Sequence, residues 1–124
     1  MQEVINRACV NLGVTVKDLG VNLTFDISDL GDLEEVLLGV SETGDDSAIS
    51  GACFMAGAYV GEILRRAGGG EWTMSTDGVA TLQLGRTGDK IFPMEKVRKF
   101  VQNPAEESLV FYTQALMARN RTGA

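Results

Sequence analysis

Along the chain the apolar positions change period several times, and each change marks an element. Val4, Ile5, Ala8, Cys9 and Leu12 recur at helical spacing between Gln2, Glu3, Asn6 and Arg7, with Gly13 next as a stop signal, predicting a short amphipathic helix. In "VNLTFDI" the period drops to two: Val21, Leu23, Phe25 and Ile27 alternate with polar residues, as in a half-buried strand or an extended segment docked beside a sheet. Ser28 and Asp29 are good N-caps, and Leu30, Leu33, Val36, Leu37 and Val40 then form a stripe with Glu34 and Glu35 outward, predicting a second helix over about 29–40.

The polar "SETGDDS" separates this helix from the most apolar part of the chain. Its Glu42, Asp45 and Asp46 lack the alternating acids and terminal glutamate of a calcium loop, and acids before a helix suit the helix dipole, so they are read as caps. From Ala48 to Arg66 one face carries Ile49, Cys53, Ala56, Val60, Ile63 and Leu64. The opposite face begins with Phe54, Met55 and Ala58 and ends with Gly61, Glu62, Arg65 and Arg66, so the expected helix is covered along its first half and emerges into water at its end.

"AGGGEWTMSTDGVATLQLG" contains a hairpin. A two-residue Asp77-Gly78 turn mixes polar and apolar residues on each face, whereas a three-residue loop Thr76-Asp77-Gly78 with Gly78 left-handed pairs Trp72 with Leu82 and Met74 with Ala80, making one face apolar. The second register is therefore expected, with strands at about 71–76 and 79–85 and a third at 90–92. Pro93 opens a helix with Val97, Phe100 and Val101 inward and Lys96, Arg98 and Lys99 outward. Asn103-Pro104 breaks it, and a last helix is expected from Pro104, burying Leu109, Tyr112 and Leu116 with Arg119 and Arg121 near its end.

Strands grouped between helices predict an α+β fold: a small three-stranded antiparallel meander, with 21–27 as a candidate fourth extended segment, covered by about five helices in the order α-(β)-α-α-β-β-β-α-α. One domain over 1–124 is expected, since a chain of 124 residues buries roughly two thirds of its unfolded surface and has no repeat or linker.

Composition removes functions. The chain has no histidine, which leaves no Ser/His or Cys/His pair and no histidine metal site. Cys9 and Cys53 lack metal-ligand spacing and read as small buried hydrophobes, so neither metal nor cofactor is expected. The net charge of −6 is uneven: residues 1–50 hold ten acids and two bases, a net −8, and the rest are at +2. With no basic stripe, nucleic acid is not expected as a partner. No window reaches the ~18 uninterrupted apolar residues of a membrane span, and "MQEVINRACV" has no signal pattern, so a cytoplasmic protein without a membrane is expected.

"GAYVGEILRR", "GGEW", "PMEKVRK" and "NPAEESLVFY" together resemble an uncharacterised family of small bacterial α+β proteins, in which a Gly-x-Tyr-x-Gly-Glu helix precedes a Gly-Gly-x-Trp strand. "FDISDLGDLEEVL" is similar in place to an Asp-x-Ser turn into a helix in such sequences, and the likeness covers about 25–112. It implies a fold and no activity. The product of an environmental mobile, integron-type gene cassette is compatible with such a chain.

Tyr59, Glu62, Arg66 and Trp72 form the candidate motif. Gly57 and Gly61 each cost roughly 0.5–1 kcal/mol relative to alanine in a helix, which close approach of a neighbouring element would offset. "AGGGEW" follows a helix and precedes a strand, the wrong order for a phosphate loop, and reads as a helix C-cap. Glu62 precedes Arg66 by four residues and Arg65 by three, so a structural ion pair is expected, with Glu62 at least half buried and accepting a hydrogen bond from Trp72 or a backbone amide.

Two function classes follow. The first is a non-enzymatic binding protein of adaptor, inhibitor or immunity type, offering its acidic N-terminal half to a protein with a basic surface. The second is a small enzyme or small-molecule-binding protein working through Glu62 and Asp26 beside Tyr59 and Trp72. Missing histidine and the lack of any paired acid/base motif favour the first. Open strand edges add an expectation of a homodimer.

Overall fold

The computed structural model describes residues 1–122. Five helices and a three-stranded antiparallel sheet form an α+β arrangement: α1 (Gln2–Lys17), α2 (Leu30–Glu42), α3 (Asp46–Gly68), β1 (Gly70–Met74), β2 (Ala80–Leu84), β3 (Lys90–Ile91), α4 (Pro93–Gln102) and α5 (Leu109–Thr122). The order matches the one the sequence predicts. Residues 21–26 join no strand; their alternation places Val21, Leu23 and Phe25, with Ile27, half-buried against the core.

Each boundary has a local cause. Asp45 starts α3 by accepting hydrogen bonds from the Ser47 and Ala48 amides at 3.0 and 3.2 Å, which is the capping role expected of these acids. Asp26 caps a single 3-10 turn at Ile27–Asp29 in the same way. In the hairpin, Trp72 lies opposite Leu82 and Met74 opposite Ala80, and Gly78 has φ 79°, so the three-residue loop is the one formed. Trp72, Ala80, Leu82, Leu84 and Ile91 are buried on one sheet face, whereas Met74, expected with them, lies at the free end and is exposed.

α3 is the hub, packing on the other four helices and on β1 and β2. By length and composition it could span a membrane, but every residue from Ala56 to Leu64 is buried inside the domain. The expected burial is inverted along it. Its first turns at 46–51 are largely exposed, and cover comes in the second half from α1, the sheet and α4.

Three other expectations are corrected. α1 continues through Gly13 to Lys17, because Val16 reaches the core with no exposed surface. Glu34 turns inward and accepts the Leu109 amide at 2.8 Å, while Glu35 is exposed. That same contact explains why the last helix starts at Leu109 and not at Pro104. The Glu106 and Glu107 amides turn back onto the Asn103 carbonyl, and then Ser108 and Glu34 supply the acceptors that the first turn of α5 needs.

Candidate functional site

The four motif residues separate into two nodes on α3. Glu62 is 1% exposed and its carboxylate takes four hydrogen bonds. The indole N–H of Trp72 donates to Oε2 at 3.0 Å, Gln2 at the start of α1 donates to Oε1 at 3.1 Å, and Arg65 donates to both oxygens at 2.7 and 3.1 Å. Burial pushes the carboxyl pKa up, but the donors and the charge of Arg65 outweigh it and hold the group below its ordinary value. Glu62 is therefore an ionised pin joining α1, α3 and β1, with its acceptor capacity filled from three elements.

The glycines beside it explain themselves by close approach. A Cβ on Gly61 would lie 2.2 Å from the Trp72 ring, and one on Gly57 would lie 2.6 Å from the Met94 backbone at the start of α4. These two positions let the indole and α4 sit on the helix backbone, which offsets the helical cost of glycine.

Tyr59 forms the second node. Its hydroxyl donates to Asp29 at 2.5 Å and accepts the Phe25 amide at 2.7 Å, and its ring lies 4.9 Å from that of Phe25. Phe25 has φ 60°, a conformation unusual for a residue with a side chain, so Tyr59 anchors a strained turn. Burial, followed by the bond to the Asp29 carboxylate, pushes the phenol pKa far above its usual range. Asp29 is raised by burial but lowered more by donors from Tyr59, Thr24 and Asp26.

Several residue roles differ from those the sequence suggests. Glu62 pairs with Arg65, three residues on, and Arg66 instead places its guanidinium 3.5 Å from the Phe25 ring centre, at the Tyr59 node. Asp29 was expected to cap α2, but its carboxylate is engaged by Tyr59 and the 24–26 backbone. Asp26, named as a second carboxylate, is exposed and caps the Ser28 amide. Asn120 is a structural residue that the sequence does not announce. Fully buried, it donates to the Leu64 and Gly69 carbonyls at 3.1 Å each and accepts the Arg86 amide at 3.0 Å, closing the end of α3. The only hint is that a helix ending in glycines must find donors for its last carbonyls.

The motif thus offers no carboxylate facing a cavity, and among the described residues no three of His, Cys, Asp and Glu converge. Cys9 and Cys53 are buried free thiols. An outward-facing stripe on α2 has a different character. Asp32, Glu35, Val36, Gly39, Val40 and Thr43 follow one another at helical spacing and, with Leu19, line an open groove of about 440 Å³. Its floor is apolar, its rim is acidic, and Leu19 is 64% exposed. The four ion pairs of the described residues all lie between Glu62 and Arg119, and the acids of residues 1–50 take part in none. Comparison with protein-family models, curated proteins and solved structures finds no match to this chain.

Proposed function

We propose that this protein is a non-enzymatic interaction module that docks a basic, amphipathic segment of another protein on the α2 groove. The observation that carries this reading is the groove itself: an apolar strip of Leu19, Val36 and Val40 beside Asp32 and Glu35, neither of which is paired with a base among the described residues. Unpaired acids along a helix steer a cationic partner and reject an anionic one, while the apolar floor supplies area to bury. Gly39 leaves a notch in the stripe where a Cβ would touch nothing within 4 Å, giving space for an incoming aliphatic side chain. The carboxylate-enzyme alternative is weakened because Glu62 is enclosed and fully hydrogen-bonded. In proteins sharing the Gly-x-Tyr-x-Gly-Glu helix and Gly-Gly-x-Trp strand, the motif would mark a fold and not an activity.

The test is an amide NMR titration with a helical Lys/Leu peptide and its Glu/Leu counterpart, run beside light scattering. The basic peptide is expected to shift residues 19 and 32–43 saturably, to weaken as salt is added, and to lose about tenfold or more in affinity when Asp32 and Glu35 are both changed to Lys. Equal binding of the acidic peptide, or indifference to the double charge reversal, would sink the proposal. Concentration-dependent doubling of mass that covers these same residues would replace the foreign partner with a second copy.

A further inference from the structure

A separate cavity of about 300 Å³ lies between α1, the 21–25 segment and the end of α3, sharing no residue with the α2 groove. This is at the lower end of small-molecule sites and holds roughly ten non-hydrogen atoms at ~30 Å³ each. Val10, Leu23 and Phe25 make it apolar, and Gly13 leaves one wall open, since a Cβ there would meet nothing within 4 Å. Its rim carries one full charge, Arg66, which forms no ion pair among the described residues.

Two further features give the cavity a chemical bias. Phe25 is held with positive φ by Tyr59, so one wall is a strained residue fixed from behind, an arrangement that concentrates at ligand sites. Cys9 contributes a thiol whose pKa is pushed up to about 12, by burial and then by the charge of Glu62, so it presents a neutral S–H and no nucleophile. A guanidinium that stacks on Phe25 and has no ion pair among the described residues, beside an apolar hollow, favours a planar anion with a hydrophobic body, because Arg can form a bidentate charge-assisted pair while the body leaves water.

We infer that this cavity binds a small monoanionic amphiphile, of the class of aryl or short-chain carboxylic acids, with its carboxylate on Arg66 and its apolar body against Val10, Leu23 and Phe25. The neutral alcohol of the same skeleton supplies the internal control. In amide NMR titrations, 3-phenylpropionate should give saturable shifts at residues 6–13, 23–25 and 66, with about tenfold or more tighter binding than 3-phenylpropanol. Arg66→Gln should remove the preference, bringing the acid to the level of the alcohol measured on the same variant. Gly13→Leu should fill the hollow and abolish both, with a melting temperature equal to or above that of the parent. Three results would each overturn the inference: no saturation by the acid at millimolar concentration, shifts centred elsewhere, or an Arg66→Gln variant that still prefers the acid.

Discussion

α2 and α3 pack against each other, yet Asp32 and Glu35 on the one and Glu62 on the other meet opposite fates. On α3, Glu62 sits at 1% exposure with donors from three elements, and the glycine beside it lies under a tryptophan ring. On α2, Asp32 and Glu35 stand in water without a basic partner among the described residues, and a Cβ on the nearby Gly39 would meet nothing within 4 Å. The conspicuous motif is thus an internal joint, and the plainer stripe is left exposed. A buried charge with its donors in place is costly to disturb, whereas an exposed one is nearly free to change.

The strongest way to break this contrast is Glu62→Gln. Removing the charge leaves Arg65 partly buried without its partner, and a loss of about 3 kcal/mol is expected, read as a melting temperature lower by roughly 10 °C at neutral pH. An unchanged melting curve would show that the pin does not hold the fold. The pH dependence has a definite sign. Because the folded carboxyl titrates below its unfolded value, its stabilisation is complete above about pH 4.3 and fades as pH falls through the lower folded value. The gap between parent and variant should therefore be constant at neutral pH and close in acid.

A smaller effect separates the glycines. Gly61→Ala should cost about 2 kcal/mol, because the Trp72 ring it would strike is tied to Glu62 and must be displaced. Gly39→Ala should instead stabilise by roughly 0.5–1 kcal/mol through helix propensity alone. Denaturant midpoints for the pair give the comparison directly, and equal signs would remove it.

Tyr59→Phe should cost about 1–2 kcal/mol by leaving the Phe25 amide and Asp29 without the hydroxyl. The change should be local, so hydrogen exchange is expected to rise at residues 24–29 more than in α3. Uniform loss of protection would mean that Tyr59 serves the whole core and not this turn. The smallest effect on stability is expected from Asp32→Lys with Glu35→Lys, within about 0.5 kcal/mol of the parent, since both side chains are exposed and have no ion pair among the described residues. A large destabilisation there would assign the stripe to the fold.

Much of the architecture was legible because it rests on neighbours in sequence. Period two and period 3.6 locate strands and helices from residues a few positions apart, and the Thr76-Asp77-Gly78 loop sets the register of Trp72 on Leu82 because only that pairing keeps the apolar residues on one face. The glycine spacing at 57 and 61 and the burial of Glu62 against Trp72 were readable for the same reason: glycine inside a helix and an acid inside an apolar run each require compensation.

Tertiary structure alone decided which polar group meets which. Glu62 had two arginines within reach along the helix, and the fold gave it Arg65 while the 21–25 segment drew Arg66 over Phe25. Asp29, a good cap by type, went to Tyr59, and the start of the last helix was set by Glu34, 75 residues away. Local propensities differ by about 1 kcal/mol or less, whereas an unsatisfied buried donor or charge costs more, so long-range partners overrule them.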